Sequence, residues 1–422
     1  MQLPAKNSCS SRFRRPHPAW VVAFGCLLVF SGSNGLLLNC NTVFAAPVPE
    51  ALGVSRGAFQ LHMIIANGAG LLVLNLYGEL FRRHPQRLRQ FLLVASVVAC
   101  ASVYGYSFAT KLWHFYILSA LFGLCEPIIG GLTLTTILNN WFVTNKGLAL
   151  GFAFTGSSVV GALILPSVNR VVTTAGWQWG YRLLAVGALV LLLAGTLLFI
   201  RESPTAGQTP LGATPEAAAS LELRGLTRAQ AARSSAFWFM TAGLLFFGFA
   251  NQGIGPHIIA ALTAMGYTSA LAAWVTSAMM AVTAVAKLAL GALFDRVGGV
   301  WSAALTGLCA LFSALAMTFA GVSPVMLGAF ALFHGFTSAM FTVSFPYLIN
   351  ANFGPREYAA IYSLATSLSG LGGLSSILSG SLYDATGSYQ AGFVLCVVAA
   401  AAATACLTAG AVLARRNGYS EK

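Results

Sequence analysis

Twelve long apolar runs leave this chain few folds to choose from. They lie near 20–43, 57–78, 90–109, 113–138, 147–169, 178–200, 236–258, 270–294, 300–321, 324–350, 358–382 and 390–413, bounded by charges, Gly, Pro or aromatic rings. A bilayer core about 30 Å thick asks for roughly 20 apolar residues per helix. The expected fold class is therefore an all-α membrane protein with twelve transmembrane helices. Charged residues make up 8% of the chain, against about 25% in ordinary soluble domains. No room is left for a large water-soluble domain.

The formal charge of +13 does not point to nucleic acid, because the basic residues are dispersed among short loops rather than gathered in a patch. Topology accounts for them. With both termini cytoplasmic, the inner side collects Lys6, Arg12, Arg14, Arg15, Arg82, Arg83, Arg87, Arg89, Lys146, Arg201 and most of the later basic residues. The outer side receives Arg56, Lys111, Arg170 and Arg182. The apolar run that ends near Phe44-Ala45-Ala46 looks superficially like a signal peptide, but it is longer than a signal h-region and many spans follow. The eight cysteines show no CxxC and no His partner at ligand spacing, so they read as small buried hydrophobes.

The expected organisation is a basic cytoplasmic start (1–19), a first six-helix bundle (20–200), a cytoplasmic linker (201–234), a second bundle (235–413) and a short cytoplasmic tail (414–422). The halves echo each other. Leu76–Arg83 (LYGELFRR) closes the second span and Gly291–Gly299 (GALFDRVGG) closes the eighth. Glu126-Pro127 in the fourth span corresponds to Phe345-Pro346 in the tenth, and Phe142 to Phe353, at offsets of 211 to 219 residues. Two pseudo-symmetric six-helix bundles around a central cavity are the architecture of an alternating-access carrier.

The stretch from Asn139 to Pro166 joins two spans through a polar turn. Trp141 and Phe142 carry rings of the kind that settle at a bilayer interface, and Lys146 holds the turn in water. Gly147 and Gly151 share one helical face, with Gly156 and Gly161 further along, so another helix backbone is expected to pack closely there.

These residues resemble the major facilitator superfamily. The GxLxDRxG pattern is matched at Gly291, Leu293, Asp295, Arg296 and Gly298, and Glu79 with Arg82-Arg83 forms a degenerate first-half copy. Leu52 to Gly57, the Trp141 to Gly151 stretch with Pro166, Gly176-Trp177, Phe237-Trp238 and the Phe345 to Gly354 run are similar to the oxalate/formate antiporter and monocarboxylate transporter group. The resemblance implies the major facilitator fold and a small carboxylate as substrate. It also implies that a cation eight residues before the loop aspartate holds that carboxylate. Lys287 stands there, where Arg is usual, and no second cation lies in the eleventh span.

Two charges inside spans are informative without any family. Lys287 lies about 12 Å from the inner end of its helix, at 1.5 Å per residue, and an intramembrane cation costs at least about 2.5 kcal/mol. Glu126 is the only acid within a span. A carboxylate taken out of water can change protonation state near neutral pH, which makes Glu126 the expected proton-coupling residue. A static Glu126–Lys287 pair is the bland alternative. His257 and His334 are further candidates for the cavity, and Asn34, Asn39 and Asn41 of the first span either face it or bond across helices, while His62, His114, Tyr347 and Tyr362 read first as packing or interface residues. Asp295, Arg296, Glu79 and Arg82 form a candidate conformational switch, since charge-assisted bonds from these loops to neighbouring helix ends hold one access state closed.

The expected function is a monomeric secondary transporter of small organic anions in the plasma membrane, coupled to protons, with no cofactor or metal. An exporter of neutral or amphipathic compounds is the alternative. A membrane enzyme is disfavoured by the absence of HExxH or paired-acid patterns, and a sensor by the absence of a signalling domain.

Overall fold

A computed structural model describes residues 17–45, 47–204, 208–213 and 225–418. The basic start, part of the expected linker and the last four residues lie outside them. Among the described residues the structure is helical, without a strand. Eleven helical segments are long and apolar enough to cross a membrane: Pro18–Asn41, Ala58–Arg83, Pro85–Tyr106, Leu112–Trp141, Lys146–Ala175, Trp177–Phe199, Ser235–Ala264, Trp274–Thr318, Pro324–Phe353, Tyr358–Tyr383 and Gln390–Arg416. The 45-residue segment is two spans. They meet at Gly298, whose φ of 78° and ψ of 177° break the helix, and only glycine adopts that backbone without strain. The last glycine of the GxLxDRxG pattern is thus the corner between the eighth and ninth spans.

Four spans are broken near mid-membrane. The first changes from α-helix (Pro18–Phe30) to a π-helical stretch (Ser31–Leu38) and then to 3₁₀ turns (Asn39–Phe44). In the fourth, Pro127 weakens the ladder and Gly130 (φ −102°, ψ −144°) separates Leu112–Ile129 from Gly131–Trp141. The seventh breaks at Gly255–His257, where Pro256 removes a donor, and the eleventh at the glycine-rich Gly370–Gly373. Irregular backbone at this depth is tolerated only where it is covered by protein or lines a cavity.

The face carrying the termini is sealed along two seams between the halves. In one, the fifth span crosses the eighth, where a side chain on Gly147 would strike the Gly291 carbonyl and one on Gly151 would strike that of Lys287. In the other, Gly78 of the second span lies against Ala359 and Ser363 of the eleventh, and Asn75 Nδ2 donates to Ser367 Oγ at 2.8 Å. The other two glycines of the fifth span look the opposite way. Gly156 packs on Leu27 and Ser31, and Gly161 on Gly35 and Asn39, all of the first span.

One expectation fails here. Trp141 and Phe142 do not sit in an interfacial belt; they are 1% and 0% exposed. The linker explains why: Leu211 N donates to Trp141 O at 2.8 Å and Leu211 O accepts from Val143 N at 2.9 Å. Trp141 Nε1 donates to Arg201 O at 2.9 Å, and Phe142 meets Trp20 edge-on at 5.2 Å. The rings are covered by the chain's own connection rather than by lipid headgroups.

Candidate functional site

A cavity of about 630 Å³ lies between the halves at mid-membrane and reaches away from the face that carries the termini. All four helix breaks contribute to its wall: Leu38; Glu126, Pro127 and Gly131; Pro256; and Ser369, Gly370, Leu371 and Gly373. Its size suits a small organic molecule. Phe122, Phe341, Phe345 and Leu74 supply apolar walls, and Glu126 is the only Asp, Glu, Lys, Arg or His among the residues that line it. Its carboxylate accepts no hydrogen bond from any described residue and turns back over Gly130, where a Cβ would lie 2.8 Å from Oε1. A missing side chain therefore makes its pocket.

Lys287 is elsewhere, which corrects the expectation that it binds substrate beside Glu126. It is 4% exposed and absent from the cavity wall. Its ammonium has three donors, and all are used: Nζ donates to Phe154 O at 3.1 Å, Ser157 Oγ at 3.0 Å and Ser158 Oγ at 3.0 Å. The face of Phe30 lies 5.9 Å away. The cation is thus a bolt across the seam between the fifth and eighth spans, and the static Glu126–Lys287 pair does not form. A hydrogen bond to a charged group is worth roughly 1.5–3 kcal/mol. Lys287→Met, which keeps the bulk and removes the donors, is therefore expected to loosen that seam. A cysteine placed at Asn350 should react with thiol reagents about fivefold faster in that background, the change that about 1 kcal/mol of coupling produces; an unchanged rate would show that the bolt carries no load.

The other expected cavity residues are also displaced from it. His257 lies behind the wall, its Nε2 2.9 Å from Ser376 O and its ring against Tyr389. His334 is 2% exposed, stacked on Phe330, with Nδ1 2.8 Å from Ser313 Oγ. Asn34 is half-buried in the π-helical stretch of the first span and does not line the cavity. Six polar lining residues went unrecognised as site residues: Asn67, Gln252, Tyr362, Thr366, Ser369 and Ser376. The available signal was a carboxamide inside an apolar run, for Asn67 and Gln252.

The candidate switch residues divide. Asp295 accepts from Gly147 N at 2.8 Å and Leu148 N at 2.9 Å, so an acid of one half caps the first turn of a 30-residue helix of the other. Unpaired amides and the helix dipole both favour a negative charge there, worth up to about 2 kcal/mol when partly buried. Lys146 Nζ adds a bond to Asn350 Oδ1 at 3.3 Å. In the second seam the chemistry is inverted. Counting from the seam glycines, Arg82 follows Gly78 by four residues as Asp295 follows Gly291. Arg82 reaches Glu357, at the start of the eleventh span, at 3.9 Å, and is held by Glu79 at 2.6 Å. Arg296 is exposed and makes no ion pair or hydrogen bond among the described residues, so it is not part of this gate.

Two six-helix halves, a mid-membrane cavity at helix breaks and a gate that joins the halves on one face define a membrane carrier. A family model of the Major Facilitator Superfamily matches residues 22–272 and 243–420. The chain belongs to that superfamily; it is a multi-pass transporter and not an enzyme. It is 29% identical over 401 residues to monocarboxylate transporter 11 of Mus musculus, covering 89% of this chain and 84% of that one. It is 24% identical over 264 residues to the Saccharomyces cerevisiae transporter ESBP6, a match that spans 58% of this chain but only 38% of the yeast protein. The solved E. coli fucose:proton symporter FucP superposes with a TM-score of 0.69 at 15% identity, over 93% of this chain and 98% of that one. That likeness speaks to the fold.

Proposed function

We propose that this protein is a proton-linked carrier of small monocarboxylates, and that Glu126 takes up the coupled proton. The observation that carries this reading is an unpaired carboxylate at a helix break, in a cavity of molecular size that holds no cation. An anion entering beside ionised Glu126 meets a like charge in a medium of low dielectric. Protonation removes the repulsion and supplies a donor, so the proton binds first. The resemblance to monocarboxylate transporter 11 supports the substrate class. The basic residues on the termini face, Arg82, Arg83, Arg87, Arg89, Lys146 and Arg201 among them, support cytoplasmic termini in a plasma membrane. The cavity then faces outward, and rocking about the seams would open it inward.

The test is proton flux in proteoliposomes. Formate, oxalate, lactate, pyruvate and benzoate are supplied outside liposomes that carry a pH-sensitive dye. A monocarboxylate of this set is expected to acidify the lumen in a protein-dependent manner, and oxalate is not, because one neutral carboxyl does not offset two charges. The apolar walls favour a second reading, a carrier of neutral or amphipathic compounds. Accumulation of a neutral amphiphile together with silence from every carboxylate would establish that reading instead.

A further inference from the structure

Seven polar side chains line the cavity, and three of them are already engaged. Thr366 Oγ1 donates to Tyr362 O at 2.7 Å, Ser369 Oγ donates to Thr366 O at 3.1 Å, and Ser376 Oγ lies 3.2 Å from His257 Nε2. Asn67, Glu126, Gln252 and Tyr362 have no hydrogen-bond partner among the described residues. Two of these come from each half, and Glu126 and Tyr362 belong together. A Cβ on Gly130 would lie 2.8 Å from Glu126 Oε1, and one on Gly131 would lie 3.5 Å from Tyr362 Oη. The carboxyl of the first half and the hydroxyl of the second therefore sit above neighbouring glycines of one helix break. Tyr362 is held firmly. Its ring stacks on Tyr358 at 5.4 Å and 22°, and Tyr358 is itself 3% exposed. An oriented hydroxyl with nothing to bind is a prepared ligand contact, because its ordering has been met before the ligand arrives.

We propose that Tyr362 is a substrate-binding residue, and that its hydroxyl and the protonated Glu126 carboxyl each donate one hydrogen bond to the two oxygens of the same carboxylate. The inference rests on the reading of Glu126 as the proton site. Stoichiometry favours it: a carboxylate offers two oxygens, while a neutral carboxyl and a phenol offer one O–H each. Two neutral donors do the work of the missing cation and explain how an anion is held while Lys287 is bolted into the seam. Because the donors belong to different halves, the bound head group also ties those halves together across the break.

The experiment uses the purified full chain, with thermal stabilisation by formate, lactate, pyruvate and benzoate measured from pH 5 to pH 8. Tyr362→Phe is expected to raise the half-saturating concentration about tenfold for each carboxylate that the wild type binds, as loss of one charge-assisted bond implies, with the pH profile kept. Tyr358→Phe keeps the stacked ring and removes a buried hydroxyl that lies outside the cavity wall, and is expected to leave affinity unchanged. Should Tyr362→Phe fail to fold, Gly131→Ala keeps the tyrosine and places a methyl in the hollow beneath its hydroxyl, with the same loss expected. Unchanged affinity in the folded variants, with the pH profile lost in Glu126→Gln, overturns the role of Tyr362 alone. Weakened binding in Tyr362→Phe with an intact pH profile in Glu126→Gln overturns the proton role and leaves Tyr362 in place. Binding of none of the carboxylates overturns both.

Discussion

Glu126→Gln is expected to flatten the pH dependence of uptake and to uncouple it from proton entry. The amide copies the shape of the protonated acid and keeps a donor for the substrate, but it cannot lose or gain a proton. In the wild type, initial uptake should fall as external pH rises, because the competent form of the cavity is the one with Glu126 neutral. One titrating group allows at most about a tenfold fall per pH unit. In the variant, uptake should be level from pH 5 to pH 8 and should no longer acidify the lumen, while exchange of labelled for unlabelled substrate continues. A variant that retained the wild-type slope would place the proton elsewhere. No other charged side chain lines the cavity among the described residues, so the idea of a cavity proton site would fall with it.

Gly151→Val is expected to abolish net transport by a different route. Any side chain there meets the Lys287 carbonyl directly, and Gly147 stands in the same relation to Gly291. Overpacking a close helix contact costs about 1–3 kcal/mol, which shifts a two-state balance about 5- to 150-fold. The shift has a known direction. The wedge disfavours the state described here and favours the one open on the termini face, so cysteines along the seam should label faster there and reagents entering from the other face should label cavity positions less. Gly161→Val serves as the contrast, since that glycine faces the first span within the same half and its variant should alter stability without biasing access. Equal labelling in the two variants would remove the seam from the transport cycle.

Much of this architecture can be read from the amino acids, because hydropathy and charge act one span at a time. The number of spans, the echo between the halves and the acid in the fourth span are all of that kind. What escaped is angular. The position of Lys287 shows its depth along a helix, yet its acceptors come from Phe154, Ser157 and Ser158, about 130 residues away in sequence. No periodicity within the eighth span reveals which neighbour it faces. The same limit applies to His334, which shares a span with cavity residues Phe341 and Phe345 but points at Ser313. Trp141 and Phe142 misled for another reason. Aromatic rings at a helix end suit lipid headgroups and a covering peptide equally well, and only the fold shows Leu211 lying over them. The break at Gly130 was foreshadowed by Pro127 and paired glycines, whereas nothing in Ser31–Leu38 marks it as π-helical.

The linker's anchors carry a mechanical consequence. On one side Leu211 is bonded to Trp141 and Val143, and on the other Leu226 N donates to Phe353 O at 2.9 Å while Arg228 N donates to Glu357 Oε2 at 2.8 Å. Each half grips its own end of the connection, so any displacement of one half against the other must carry Leu211 and Leu226 apart or together with it.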